Sequence, residues 1–417
     1  MKIVLSFPQC HRRGGVERVM YECARFLVGR GHDVVVAAEQ WEPLPEAAGP
    51  GQIEYLKVPV ASKTSSPWAA AKTFAQRSRK TIQDAGLSDA LHNGHGCVCS
   101  PEGVAWVHSV HQAWLERRQQ LGLDRTLAQR IKRRINPLHR TLLRLEKNYF
   151  DDPRIKRVIA LTPQVASDLH RLYSVAPERV VLIPNGYDPE EFCPERRRQR
   201  RDESRASLGL APETPALLFV GHEIARKGLA TAMQALQQLD RQDAQLLVVG
   251  RLQEDRVFRL SHQHGVDGRV KFCGPTADLG LYHAAADAMV LPTQYEAFCL
   301  AILEALGSGL PVVTSALPGA QDAIRVDVNG SLIDDPLDAA GFANQLNHWL
   351  QVSSERGDDL SDQVANSVRK YRWSSVLTRY ESVLLQCDSA SLPLPHANPA
   401  PISSNPVPAG RVSATPI

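Results

Sequence analysis

No apolar run in these 417 residues approaches the roughly 18 that a membrane-spanning helix needs. Met1-Lys2-Ile3-Val4-Leu5-Ser6-Phe7 runs straight into Gln9, His11, Arg12 and Arg13 without a cleavable apolar region, so a cytoplasmic location is the expectation. Cys-x-x-Cys is missing as well. The eight cysteines (10, 23, 97, 99, 193, 273, 299 and 387) are scattered, and Cys97-Val98-Cys99, the one close pair, has the spacing of neither a zinc ribbon nor a redox centre. Most read as small core fillers. Gly-x-Gly-x-x-Gly is absent, which leaves a nicotinamide or flavin site without support.

What is present describes a soluble globular protein, with 43% hydrophobic and 22% charged residues. The length exceeds the roughly 250–300 residues at which single cores stop growing, so two domains are expected. The net charge of +3 is unevenly spread. Between His111 and Ala160 stand 13 Lys/Arg against five acids, a local +8 that leaves −5 for the rest. In that segment Arg130, Arg133, Arg134 and Arg140 interleave with Leu127, Ile131, Ile135, Leu138, Leu142 and Leu143. Such a stretch suits a solvated helical face or an amphipathic contact with anionic lipid or an anionic acceptor. Nucleic acid is not expected, because aromatics to stack bases are few there.

Strand and helix signals alternate twice along the chain. Ile3-Val4-Leu5 is a continuous apolar run, Val16, Val19, Met20, Cys23 and Leu27 recur at helical spacing, and Asp33 to Ala38 is a second strand. Val158 to Leu161, the cap Thr162-Pro163 and Val180 to Ile183 complete this half. After a polar stretch from Glu190 to Pro215, strands are expected at 216–220, 245–249, 270–272, 288–291 and 311–314. An amphipathic helix over 373–387 and a Pro/Ser/Ala tail over 388–417, with seven prolines and too little apolar surface to fold, close the chain. The fold class is therefore α/β, with two successive doubly wound domains and ligands at the carboxyl ends of the strands.

Two glutamates carry the most chemical information. Glu296 lies where the apolar run Ala288-Met289-Val290-Leu291, closed by Pro292, turns into a helix expected from Ala297 to the glycines Gly307 and Gly309. Glu304 lies inside that helix among Ile302, Leu303, Ala305 and Leu306, where a carboxylate needs a partner. A helix amino terminus between two carboxylates suits a phosphate flanked by two polyols, as in a nucleotide sugar. Arg226-Lys227 sits at another strand-to-helix junction and reads either as a solvated pair or as a diphosphate contact, because cations at a helix start oppose its dipole. Gly14-Gly15 reads as a tight turn or as a phosphate cradle. His108 ends the run Ala105-Trp106-Val107 and is either a core histidine or a cleft residue, with His111 a weaker candidate.

Together these elements resemble the retaining glycosyltransferases of family 4, which pair two Rossmann-like domains in the GT-B arrangement. The resemblance rests on Gly14-Gly15-Val16-Glu17-Arg18, Gly31-His32-Asp33-Val34, Ile183-Pro184-Asn185-Gly186-Tyr187-Asp188, Arg226-Lys227-Gly228, Phe272-Cys273-Gly274, Ala286-Asp287, and Glu296 through Glu304 followed by Gly309-Leu310-Pro311-Val312-Val313. Arg226-Lys227-Gly228 and Tyr295-Glu296-Ala297 look most like the bacterial lipopolysaccharide core glucosyltransferase subgroup. The resemblance implies an acceptor-side domain over 1–185 joined by the helix 373–387, a linker over 186–213 and a nucleotide-sugar domain over 214–372. It implies Arg226 and Lys227 on the diphosphate, Glu304 on the ribose, Glu296 on the sugar hydroxyls and Gly14 and Gly15 on the phosphate from the opposite domain. His108 would meet the reacting sugar or acceptor, and Phe298, Cys299, Leu300, Cys273 and Gly274 would line the donor. Cys299 departs from the family, which usually has glycine there.

The expected activity is transfer of a hexose, glucose by the subgroup likeness, from a UDP-type donor to a cell-envelope glycolipid or lipopolysaccharide core. No Asp-x-Asp occurs at a strand end, which fits a reaction without metal or other cofactor, and no enzymic nucleophile is nominated. A donor-binding or polyanion-binding protein without transfer, and a sugar-nucleotide epimerase, remain alternatives. The basic segment 117–157 would allow peripheral contact with the inner face of the membrane.

Overall fold

The computed structural model describes residues 1–45, 49–60, 66–123, 126, 131 and 134–388. Two parallel sheets organise them. In the first, seven strands run in the order Ile53–Lys57, Asp33–Ala38, Lys2–Ser6, Leu91–His95, Gly103–Val107, Ile155–Ala160 and Val180–Leu182. The second has six, in the order Val270–Gly274, Gln245–Val249, Ala216–Val220, Ala288–Leu291, Val312–Ser315 and Gly330–Ile333. Continuous apolar runs such as Leu217-Leu218-Phe219 are fully buried because helices cover both faces. In each sheet the order reverses beside the strand that comes first in the chain, Lys2–Ser6 or Ala216–Val220. Crevices open at the carboxyl ends of such strands.

One central strand escapes any apolar pattern. Leu91-His92-Asn93-Gly94-His95 lies buried between Lys2–Ser6 and Gly103–Val107. Asn93 and His92 find partners: Asn93 Nδ2 donates to Val104 O at 3.0 Å, Tyr380 Oη donates to Asn93 Oδ1 at 2.7 Å, and His92 Nε2 meets Leu87 O at 2.9 Å. Satisfied in this way, a polar strand is tolerated in a core. Strands Ile53–Lys57 and Gly330–Ile333 are also additions to the expected set.

The expected linker over 186–213 contains the helix Pro194–Ser207. Arg197 donates to His283 O at 3.2 Å and Ala286 O at 2.8 Å, Arg205 to Ala285 O at 2.7 Å, and Arg201 reaches Asp287 Oδ1 at 2.5 Å. Arginines thus cap the carbonyl end of the helix Leu279–Ala285 and fasten this segment to the second lobe.

The chain crosses between lobes twice, side by side. Tyr187 N donates to Tyr371 O at 2.9 Å, and Trp373 N to Tyr187 O at 3.0 Å. A Cβ on Gly186 would stand 2.5 Å from the Trp373 ring, so this close crossing requires glycine. The closing helix Trp373–Asp388 then returns to the first lobe, where Glu381 meets His32 Nε2 at 2.9 Å and Arg30 Nε at 3.1 Å.

The basic segment contributes helices His111–Gln120 and Pro137–Phe150. Arg125, Arg130, Lys132, Arg133 and Leu127 lie outside the described residues, as does the tail expected over 388–417 apart from Asp388, which ends a helix. Among the described residues no helix is long and apolar enough to cross a membrane.

Candidate active site

At the reversal point of the second sheet, the loops after Ala216–Val220 and Ala288–Leu291 lie side by side. The first holds a four-residue helix, Ile224–Lys227, and turns at Gly228 into the helix Leu229–Gln237. Gly228 has φ +76°, and a Cβ there would meet Pro292 O at 2.0 Å, so glycine lets the two loops touch. Gln294 N donates to Arg226 O at 2.8 Å and locks them together. Arg226 and Lys227 therefore end a short helix, where cations suit the dipole, and the expected opposition to a helix start does not hold.

Three nominated residues converge here. The Lys227 ammonium contacts Glu296 Oε2 directly, and Arg226 Nη1 lies 3.4 Å from the same oxygen. Arg226 also donates to Tyr295 O at 3.3 Å and to Glu223 Oε1 at 2.9 Å. Lys227 is buried at 8% exposure, and a buried ammonium is tolerated only beside opposite charge. Burial alone would raise the Glu296 pKa, but Lys227 and Arg226 outweigh it and hold the carboxyl below its ordinary value. Lys227 keeps its proton against burial through Cys299 and Glu296.

The helix carrying the second glutamate spans Leu300–Gly307, three residues later than expected, with Cys299 at its N-cap. Glu304 thus lies about one turn inside it. Phe298, Cys299 and Leu300 are buried at the helix start, where Asn185 Nδ2 donates to Phe298 O at 2.8 Å. Cys299 Sγ stands 3.5 Å from Lys227 Nζ, at the centre of the cluster.

Cys273 and Gly274 end the edge strand Val270–Gly274, and Cys273 Sγ turns back to Lys271 O at 3.4 Å. Gly274 belongs to a ladder of glycines whose other members, Gly221 and Gly250, the sequence reading did not nominate: Gly250 N donates to Gly274 O at 2.8 Å, and a Cβ on Gly250 would lie 1.8 Å from Gly221 O. Three neighbouring strands thus end without side chains, leaving open floor beside Lys227.

The first lobe faces this cluster with different chemistry. Gly14 has φ +97°, and Gly15 is the N-cap of the helix Val16–Gly29. Glu17 Oε2 accepts from Gly15 N at 3.1 Å, so a carboxylate already occupies an anion position at this turn. His108 is half-buried, and its Nε2 lies 3.1 Å from Nδ1 of the fully buried His95, with Trp106 stacked against both rings. Burial depresses His108 to about 3, so the pair is neutral near pH 7. His108 follows the core strand Gly103–Val107 and pairs with a side chain rather than backbone. His111 pairs with His139 at 3.0 Å, and burial followed by His139 depresses it to about 4.

Contacts across the lobes bring the two faces together. Tyr295, next to Glu296, donates its hydroxyl to Val110 O at 3.0 Å and accepts from Val110 N at 3.1 Å. Its ring packs on Trp114 at 5.5 Å. Glu304 finds its partner in Arg18 of the first lobe, at 3.1 Å. Tyr295 and Arg18 stood inside quoted motifs, but local sequence carries no signal of what they touch. Among the described residues no group of three or more His, Cys, Asp or Glu side chains is placed to hold a metal ion.

Comparisons with known proteins match this arrangement over most of its length. Residues 13–191 match the family described as Glycosyltransferase Family 4, and residues 200–367 match Glycosyl transferases group 1. Lipopolysaccharide glucosyltransferase WaaG of Escherichia coli is 27% identical over 348 residues, covering 81% of this chain and 85% of that one. The crystal structure of WaaG superposes with a TM-score of 0.77 at 23% identity, covering 92% and 99% of the two chains. D-inositol 3-phosphate glycosyltransferase 1 of Catenulispora acidiphila is 37% identical, over only 43% of this chain and 45% of that one. Anabaena Alr3699/HepE, solved in complex with UDP-glucose, has a TM-score of 0.66 at 18% identity, covering 93% of this chain and 100% of that one.

Proposed function

This chain belongs to glycosyltransferase family 4 and has the GT-B fold, and on that premise we propose that it moves glucose from UDP-glucose to a cell-envelope glycolipid of the lipopolysaccharide core type. The observation that carries the proposal is the convergence of Arg226, Lys227 and Glu296 on glycine-floored strand ends, opposite Gly14-Gly15. The likeness to WaaG over four-fifths of the chain supports the acceptor class, and the UDP-glucose complex of HepE on the same fold supports the donor.

The bond from the anomeric carbon to the diphosphate breaks as negative charge builds on the leaving phosphate. Arg226, Lys227 and the amides at the start of Leu300–Gly307 would meet that charge, as would those of Gly14-Gly15 once the Glu17 carboxylate gives way. These groups supply the positive charge that a metal supplies elsewhere, so the proposal includes metal-independent transfer. Glu296, ionised by its two cations, would accept hydrogen bonds from the sugar, and Glu304 from the ribose. Retention would follow from same-face attack, with the leaving phosphate taking the acceptor proton. Neutral His108 would face the acceptor as a hydrogen-bonding group.

An anionic acceptor would approach the first lobe, where Arg134, Arg140, Arg144 and Lys147 are exposed. Ile131 and Ile135, 51% and 63% exposed, would add peripheral contact with the inner face of the membrane. A catalytically weak donor-binding protein is the second reading, favoured by the Cys299 thiol standing against Lys227.

Transfer from labelled UDP-glucose to a lipopolysaccharide core acceptor tests the proposal, with Lys227→Ala and Glu304→Ala as controls. Loss in both variants supports it. Tight UDP-glucose binding without turnover decides for the second reading, and a melting point raised by GDP or ADP rather than UDP overturns the donor assignment.

A further inference from the structure

Glu304 is buried on a second-lobe helix, yet the cation against it comes from the first lobe. Arg18, on the helix Val16–Gly29, places Nη1 3.1 Å from Glu304 Oε1 and Nη2 2.6 Å from Glu191 Oε2, while Nε faces Glu22 Oε1 at 4.0 Å. Its side chain is 9% exposed and lies over the Phe192 ring, 5.2 Å from the centroid. First helix, crossing segment and donor-side helix therefore meet on one guanidinium. Arginine alone among the cations has a rigid fork that can hold separate carboxylates at once.

A carboxylate that receives ribose hydroxyls must be ionised and must point in one direction. Burial raises the Glu304 pKa, and Glu191 and Glu22 raise it further, while Arg18 opposes all three. These are the charged groups that reach Glu304: Arg18 and Glu22 from the first helix, Glu191 from the crossing. Arg18 engages Oε1, which orients the other oxygen.

We propose that Arg18 is a positioning residue for donor recognition, fixing Glu304 from across the cleft so that the ribose is bound only where both lobes meet. The proposal rests on the reading of Glu304 as the ribose ligand. It differs from a plain tie between lobes, because it concerns the ribose hydroxyls and not the affinity for diphosphate.

The test measures UDP and 2′,3′-dideoxy-UDP binding to the full chain by calorimetry from pH 6 to 8. The wild type should prefer UDP by about 10- to 100-fold, the range expected for hydrogen bonds to a charged group. Glu304→Gln should remove that preference. If the wild type shows none, the ribose reading of Glu304 fails, and Arg18 loses its proposed task with it.

Arg18→Gln should cut the preference to about threefold or less while leaving dideoxy-UDP binding within about twofold of wild type, since only the hydroxyl contact is lost. Its residual preference should fall as the pH drops from 8 to 6, because Glu304 without its cation takes a proton at higher pH. Arg18→Lys, which keeps the charge without the fork, should restore part of the preference and move the acid limb back down. A full wild-type preference in either folded variant, or equal losses for both nucleotides, would overturn the proposal. If Arg18→Gln does not fold, Arg18→Lys decides alone by the same criterion.

Discussion

The carboxyl ends of the two sheets meet at one cleft with opposite electrostatics. Strand ends of the second sheet carry a compact charged cluster, Arg226, Lys227 and Glu296, whose members hold one another. Those of the first carry stacked neutral rings, His95, Trp106 and His108, beside the Gly14-Gly15 turn, whose Gly15 amide donates to Glu17. The difference matches two tasks in group transfer. The charged face suits a diphosphate that becomes more negative, and the neutral face suits an incoming hydroxyl.

The largest effect should come from emptying the charged face. Lys227→Ala should lower kcat/KM by about 100- to 1,000-fold, the size seen on removing one preorganised donor to developing charge. It also leaves Glu296 with only the longer Arg226 contact. Equal rates in Lys227→Ala and wild type, measured with UDP-glucose, would erase the contrast between the faces.

A smaller loss is expected on the neutral face. His108→Phe should reduce transfer by about 10- to 100-fold while donor hydrolysis falls less, since one uncharged hydrogen-bonding group is removed. Because His108 titrates at about 3, the wild-type rate should show no inflection near the ordinary histidine value of 6.5. An inflection there that disappears in His108→Phe would show the ring to be charged in the working enzyme.

The same pair should mark stability. His108 is held neutral when folded but binds a proton near 6.5 when unfolded, so between 6.5 and about 3 the unfolded chain carries more protons. Stability should therefore be complete above 6.5 and fall as the pH drops through that window. His108→Phe should flatten the acid side of a plot of melting temperature against pH, and an unchanged slope would place acid lability elsewhere.

Cys299→Gly should have the smallest effect on rate, about tenfold or less in either direction, and should show in donor choice. Removing a thiol 3.5 Å from Lys227 opens space beside the proposed sugar position. Competition between UDP-glucose and bulkier UDP-sugars reads this out, and identical selectivity in both proteins would make the cysteine a filler.

How much of this was legible depended on distance along the chain. Loops bearing Arg226-Lys227 and Glu296 follow buried apolar strands, so their position at strand ends could be read from the run of residues alone. The start of Leu300–Gly307 was placed three residues early, because Ala297 and Phe298 form a bend, with Phe298 O taken by distant Asn185, before the helix begins. Strand Leu91–His95 was invisible, since its Asn93 and His92 are satisfied by Tyr380, Val104 and Leu87, partners that no local pattern names. The helix Pro194–Ser207 looked like a solvated connector because its arginines are spent on carbonyls some 80 residues away.

By itself the sequence determined that the chain builds two α/β lobes and which strand-end loops carry cations and carboxylates, because hydrophobic period and turn residues act over a few neighbours. Tertiary structure alone decided which charge meets which. Arg18 reaches Glu304, Tyr295 reaches Val110 and His95 reaches His108 only after the sheets have formed and packed. A buried charge must then find its counterpart wherever folding has placed one.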